Sequence, residues 1–214
     1  LSQFTRATNM AIGNTLTTGP DSQTISALTW AETAGTWGKA GGVASCSALS
    51  GSIGLATVTS TVADVLIDMI CPTYTAGSVG IVARYQDANN YLIAYYNGTN
   101  ARLDKVVAGV TTNLISGAVT YGAVKVLRLI LDVTAARLYY NNALVGTGTV
   151  PSSSYLLHGL YTTNTGNTFD DFTVFPRSGF TDAPFEELTP TRDTGTKYAG
   201  TASAKLVAGG VDAN

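Results

Sequence analysis

Charge is scarce in this chain. Of its 214 residues only 12% are Asp, Glu, Lys or Arg, and the formal net charge is −2. With no basic excess, the chain lacks the electrostatic footprint of a nucleic-acid binder. Glutamate is rarer still: Glu32, Glu186 and Glu187 are the whole supply, and His158 is the single histidine. Two cysteines, Cys46 and Cys71, fit neither a metal cluster nor a disulfide-rich scaffold. Two readings of them stay open: buried free thiols used as small apolar side chains, or one disulfide. No apolar run reaches membrane-spanning length, and residues 62 to 70 are interrupted by Asp64 and Asp68, so a soluble chain is expected. The chain begins at Leu1 without a charged segment leading into an apolar one, as expected of a processed protein or of a piece of a longer one.

What the chain has in abundance is short apolar runs separated by turn residues. Residues 78 to 107 read SVGIVARYQ, DANN, YLIAYYN, GTN and ARLDKVV: three strands joined by tight hairpins. A turn over Asp87 to Asn90 sets Ile81 opposite Tyr96, Ala83 opposite Ala94 and Tyr85 opposite Leu92. A second turn at Gly98 and Thr99 sets Ala94 opposite Leu103 and Tyr96 opposite Ala101, so one face stays apolar across all three strands. The other face collects Arg84, Gln86, Tyr91, Tyr95, Arg102 and Asp104, with Val82 and Ile93 among them. One core face and one wet face is the pattern of an antiparallel sheet.

The remaining chain continues in the same manner. Residues 1 to 7 suit an edge strand, 8 to 23 a loop, and 24 to 31 a strand. Residues 36 to 48 read as a hairpin turning at Ala40 to Gly42, and 53 to 60 as a strand. Residues 62 to 71 have no clean period, and their flanks, with Pro72 following, favour strand over helix. Strands follow at 109 to 116 and 119 to 133; in the latter Leu127, Leu129, Leu131 and Val133 share a face opposite Arg128 and Asp132. Residues 136 to 147 form a hairpin on Asn141 and Asn142, a pair that tolerates the positive φ such turns require. Strands at 155 to 162 and 169 to 175 complete about a dozen, ended by Pro176, and no helix longer than a turn or two is expected.

The succession TWGKAGGVASCSA, GIVARYQDANNYLIAYY, RLDKVVAGV, VKVLRLILDVTAARLYYNNALVG and FDDFTVF resembles the laminin-G-like members of the concanavalin A-like lectin/glucanase superfamily over about residues 1 to 176. The resemblance implies an all-β, antiparallel jelly-roll β-sandwich of the concanavalin A-like class, a fold often appended to extracellular enzymes, adhesins and virion proteins. Residues 177 to 184 read as a linker. Residues 185 to 214 resemble the opening strands of the galactose-binding-like carbohydrate-binding modules, through Phe185-Glu186 and the segment from Tyr198 to Leu206. Some 30 residues do not bury a core of their own, which makes them a partial second β module or a docking tail.

These residues bear on three chemistries: glycoside hydrolysis, calcium binding and carbohydrate binding. A glucanase needs two carboxylates flanking the scissile bond, and none of the three glutamates falls in an E-x-D-x-x-E arrangement on a central strand. His158 beside Leu157 and Gly159 is expected to be structural, and the chain is expected not to be an enzyme. Calcium is the candidate cofactor, because sandwiches resembling this one hold it with carboxylates and carbonyls. Asp170, Asp171 and Asp87 are the candidate ligands, against the alternative of a capped turn and a solvated strand end, and Gln3 stands where relatives carry an acidic partner. For carbohydrate, the candidate residues are Arg84, Gln86, Tyr91, Tyr95, Arg102, Asp104 and Tyr139, with Arg137 beside them, since tyrosine rings cover sugar faces while polar groups bond hydroxyls. The alternative is that Arg84 and Asp104 merely bridge across Ile93 and that the tyrosines stabilise the sheet. Asn97-Gly98-Thr99 is a glycosylation sequon in a turn that needs Asn-Gly in any case.

The expected function is a non-catalytic binding or adhesion module of an extracellular or virion-surface protein, with a glycan or a protein surface as partner. A structural virion or filament subunit held by self-association, its tail adding a strand to a neighbour, is the alternative, and a glycoside hydrolase a further one.

Overall fold

The computed structural model describes residues 29 to 60 and 62 to 176, together with the backbone of 189 to 193 and 203 to 207. The expected strands at 1 to 7 and most of 24 to 31, Gln3, the linker at 177 to 184 and most of the tail lie outside the described residues. The chain divides into two compact units, Leu1–Arg177 and Ser178–Asn214. The second contributes one hairpin, Thr189–Asp193 paired antiparallel with Ser203–Val207.

The first unit is a sandwich of two seven-stranded antiparallel sheets. One sheet runs, in spatial order, β1 (Ala31–Ala34), β4 (Gly54–Thr59), β13 (Leu157–Thr162), β6 (Val79–Asp87), β7 (Asn90–Tyr96), β8 (Asn100–Val107) and β9 (Val110–Ala118). The other runs β12 (Ala143–Thr149), β11 (Ala135–Tyr140), β10 (Val126–Asp132), β5 (Val65–Ile70), β14 (Thr168–Pro176), β3 (Val43–Ala48) and β2 (Thr36–Ala40). Among the described residues there is no helix. This is the antiparallel jelly-roll sandwich that the strand spacing and the resemblance implied.

Local chemistry made the hairpins. Gly41 and Gly42, at φ 62° and 91°, turn β2 into β3, and Asn141 and Asn142, at φ 51° and 65°, turn β11 into β12. The turn between β7 and β8 is capped by the Asn97 side chain, whose Oδ1 accepts the backbone N–H of Thr99 and Asn100. Beyond it Ala94 pairs with Leu103 and Tyr96 with Ala101, in the expected register.

Alternation made the core. Ile67, Leu129, Leu131 and Leu138 of one sheet and Ile81, Ala94, Leu103 and Leu160 of the other are wholly buried in one cluster. Each of the buried leucines and isoleucines contributes about 1.5–3 kcal/mol. Trp37 and Trp30 close the cluster against Phe169 and Phe172, with ring centroids 5.5 and 5.1 Å apart. The stretch 62 to 71 is a strand, as its flanks indicated. Only Val126–Asp132 of the expected strand 119 to 133 is extended, because Lys125 N–H bonds back to Gly122 O and makes a turn. Val133 does not join its leucines: at φ 49° it enters the turn to β11 and is exposed. Cys46 and Cys71 are buried free thiols donating to the carbonyls of Ala48 and Thr73, and burial pushes the Cys71 thiol up to about 12.

The pairing of β6 with β7 departs from expectation by two residues. Ile81 lies opposite Ala94 and Ala83 opposite Leu92, while Asp87 still faces Asn90. Two extra residues on β6 are taken up in a bulge, where Arg84 adopts φ 48°. An even shift keeps Ile81 and Ala83 on the core face, but the bulge exchanges the next two residues. Tyr85 stands outside against Tyr91, their rings 5.8 Å apart, and Arg84 turns inward and is 3% exposed. Arg84 and Asp104 therefore do not bridge across Ile93.

Inside, the Arg84 guanidinium joins four segments. Nε donates to Ala63 O at 3.2 Å, Nη1 to Val133 O and Pro151 O at 2.9 Å each, and Nη2 to Asp64 Oδ1 at 2.7 Å. Asp64 Oδ1 also accepts the Val133 N–H at 3.0 Å. Arg84→Met is expected to lose about 3 kcal/mol, read as a lower urea midpoint, because three inward carbonyls lose their donor. Arg84→Lys is expected to restore less than half of it, since a point charge does not reproduce the fork.

Candidate ligand-binding site

At the end of the sandwich where β6 turns into β7, a cleft of about 200 Å³ lies between the first sheet and the segment that joins β12 to β13. One wall is the core-side face of β6, β7 and β8, carrying Gln86, Leu92 and Lys105; the other is the segment Pro151, Ser152, Ser153 and Tyr155 between β12 and β13. Arg84 lines its back and positions the second wall through the Pro151 carbonyl. Asn90 holds the rim: its amide donates to both oxygens of Asp87 at 3.0 and 3.1 Å, and its Oδ1 accepts the Ala108 N–H. Tyr155 and Val107 stand at the mouth, 42% and 46% exposed. Gln86 and the Ser152 hydroxyl are likewise at the surface of this cleft.

Behind the bulge sits His158, fully buried, its Nδ1 accepting the Arg84 backbone N–H at 3.3 Å. Burial lowers its pKa to about 4, the Val62 backbone opposing that shift and the Arg84 charge adding to it. It is a neutral acceptor holding the bulge.

The outer face of the first sheet carries a different arrangement. Leu55, Tyr161, Gly80, Tyr95, Arg102 and Ser116 form one row across five neighbouring pairs of strands. A Cβ on Gly80 would lie 2.0 Å from Ala94 O, so glycine is required at the centre of the row. The rings of Tyr95 and Tyr161 flank it with centroids 5.9 Å apart. Tyr95 donates to Asp104 Oδ2 at 2.6 Å, and Asn113 Nδ2 donates to Asp104 Oδ1 at 2.6 Å. Arg102 places its guanidinium 5.9 Å from the Tyr95 ring centroid and one nitrogen 3.5 Å from Asp104. Burial, and then the bond to Asp104, raise the Tyr95 pKa. Tyr95 and Asp104 are 9% and 3% exposed and spend their polar atoms on each other and on Asn113.

The candidate residues thus fall into three places. Arg84 and Gln86 line the end cleft; Tyr91 borders it but packs its ring against Tyr85 on the outer face, where Tyr95, Arg102 and Asp104 form their network. Tyr139 and Arg137 lie on β11 in the opposite sheet, Tyr139 paired with Arg128, so they join neither group. Asp170 and Asp171 are also in that sheet, where Asp170 Oδ1 accepts the Asp171 N–H at 2.9 Å. Asp87 caps its own hairpin by accepting the Asn89 N–H at 2.7 Å. The fold does not bring these three aspartates together, and no group of three or more His, Cys, Asp or Glu side chains that could hold a metal gathers among the described residues.

No family model matches the chain, and no curated protein sequence matches it. Solved structures do. The carbohydrate binding module CBM66 from Bacillus subtilis superposes with a TM-score of 0.52 at 15% identity, over 67% of this chain and 91% of that one. The galectin LEC-6 of Caenorhabditis elegans gives 0.45 at 11% identity, over 56% of this chain and 89% of that one. Domain 4 of AbnA, an extracellular arabinanase from Geobacillus stearothermophilus, gives 0.44 at 13% identity, over 78% of this chain and 83% of that one. The likeness is one of fold. The protein has a jelly-roll sandwich fold like that of the carbohydrate binding module from Bacillus subtilis.

Lys105, Ser152, Ser153 and Tyr155 line the cleft of this jelly roll and are not among the residues to which the sequence points. One signal was present for Lys105: alternation places it on the face of Ala101 and Leu103, both fully buried, and a lysine in that row marks where a core opens to water. The segment 151 to 155 had no such signal, because its role depends on a strand 67 residues away.

Two outcomes are expected. The unfolded chain takes up a proton on His158 near pH 6.5 while the folded chain refuses it until about 4. Stability therefore falls by about 2 kcal/mol between pH 7 and pH 5 and levels off below pH 4, a slope that His158→Gln flattens in urea titrations. Tyr95→Phe is expected to cost about 1–2 kcal/mol through the lost bond to Asp104, read as a lower urea midpoint.

Proposed function

We propose that this protein is a non-catalytic carbohydrate-binding module that works at an extracellular or virion surface and holds a saccharide in the end cleft. The observation that carries the reading is the lining of that cleft. Hydroxyl and amide groups of Ser152, Ser153 and Gln86 stand around the exposed Tyr155 ring and the apolar Val107 and Leu92. A sugar presents the same mixture, with apolar C–H faces and a rim of hydroxyls, and a concave site with a few placed polar groups is the usual form of a small-ligand site.

Several facts support binding without cleavage. No Asp or Glu lines the cleft, so it presents no pair of carboxylates to a glycosidic bond. Glu32, the one glutamate with a described side chain, lies on the edge strand β1 and accepts the Trp37 N–H at 3.1 Å. His158 is sealed behind the bulge. The likeness to CBM66 supports the binding reading at the level of fold. Low charge and abundant small polar residues support a site of action outside the cytoplasm. The ARYQDANNY hairpin and the closing DDFTV strand support a laminin-G-like affiliation.

A glycan array probed with the full chain, followed by calorimetry on its best ligands, tests this. Tyr155→Ala is expected to weaken binding about tenfold or more, equivalent to about 1.4 kcal/mol, with an unchanged melting temperature because the ring is exposed. An array without a hit, or an affinity indifferent to Tyr155, overturns the proposal.

A further inference from the structure

Resting on the carbohydrate reading, we propose that the end cleft is selective for anionic saccharides, whose acidic group is received by the Lys105 ammonium. The cleft has two cations in its lining, Arg84 and Lys105, and no carboxylate. Arg84 is already compensated, at 2.7 Å from Asp64, and it spends its other donors on the carbonyls of Ala63, Val133 and Pro151. Lys105 forms no ion pair with the described residues, where the pairs are Arg84 with Asp64, Arg102 with Asp104 and Arg128 with Asp68.

The nearest carboxylates on the flanking elements do not compete for Lys105. Asp104 precedes it on β8 but points to the opposite face, where Tyr95 and Asn113 hold both of its oxygens. Asp87, at the hairpin beside the cleft, is held by the Asn89 backbone and the Asn90 amide. Lys105 stands half-buried opposite Leu92, with its stem on the apolar side of the strand. An ammonium in a concave lining that holds no carboxylate attracts an incoming anion. The rest of the lining suits the remainder of a sugar: Ser152 and Gln86 face solvent, and Ser153 accepts the Tyr155 N–H at 3.1 Å while keeping its own hydroxyl proton to donate. Lysine is a compact point charge that receives a carboxylate or a sulfate equally, so the shared chemistry is an anionic group on a sugar ring.

Calorimetry with the full chain against three panels distinguishes the sources: uronic-acid oligosaccharides, their carboxyl-reduced neutral counterparts, and sulfated oligosaccharides. An anionic member is expected to bind at least tenfold more tightly than its neutral counterpart, with the advantage shrinking as salt is raised. Lys105→Gln is expected to abolish that advantage, and Lys105→Arg to retain most of it. The better of the uronate and sulfate panels names the group. Equal binding of acidic and neutral sugars, both weakened by Tyr155→Ala, overturns the anionic selectivity and leaves the carbohydrate reading standing. A preference for acidic sugars that survives Lys105→Gln also overturns the assignment. Binding of no saccharide in any panel overturns both.

Discussion

The Arg84 guanidinium is the constraint on which the working end of this sandwich depends. It is buried, positively charged and reached only because β6 bulges at φ 48°. Its position is paid for by a set of acceptors drawn from distant parts of the chain: Ala63 and Asp64 before β5, Val133 between β10 and β11, and Pro151 after β12. The fork geometry of arginine lets one side chain satisfy three carbonyls and a carboxylate at once. His158 secures the same bulge from behind by accepting the Arg84 N–H. A burial that would be costly for an isolated cation becomes a joint between both sheets.

That joint explains why there is a cleft at all. Here the core row of β8 ends in Lys105 and the core face of β6 ends in Arg84 and Gln86, so the apolar filling stops short of the end. The loop at Pro151 to Tyr155 is held across the gap by the Pro151 carbonyl and does not collapse into it. A small polar-rimmed cavity over an apolar floor results.

The outer face of the first sheet shows the opposite use of polar residues. Tyr95, Asp104 and Asn113 satisfy one another, Tyr161 and Tyr95 close over Gly80, and the patch becomes a second apolar cluster with Leu55, Val82 and Ile93. A hydrogen-bonded network of this kind ties β7, β8 and β9 in register. Tyr95 and Asp104 are buried within it, while Asn113 and Arg102 keep contact with solvent.

The sequence by itself determined whatever is local. Gly41-Gly42 and Asn141-Asn142 set their hairpins because few other residues accept positive φ, and alternation along β7, β8 and β10 chose the core face because a one-residue slip would bury the charges. It also determined that the polar-aromatic face exists, and that the paired glutamates of a glucanase do not. Tertiary structure decided the rest. The bulge at Arg84 depends on acceptors up to 67 residues away, and no local pattern announces them. The same bulge turned Arg84 inward and Tyr85 outward, which divided the candidate residues between a cleft and a buried network. A cleft made between one sheet and a segment brought to it from 67 residues away is a property of their arrangement in space, and that arrangement is written in no single stretch of chain.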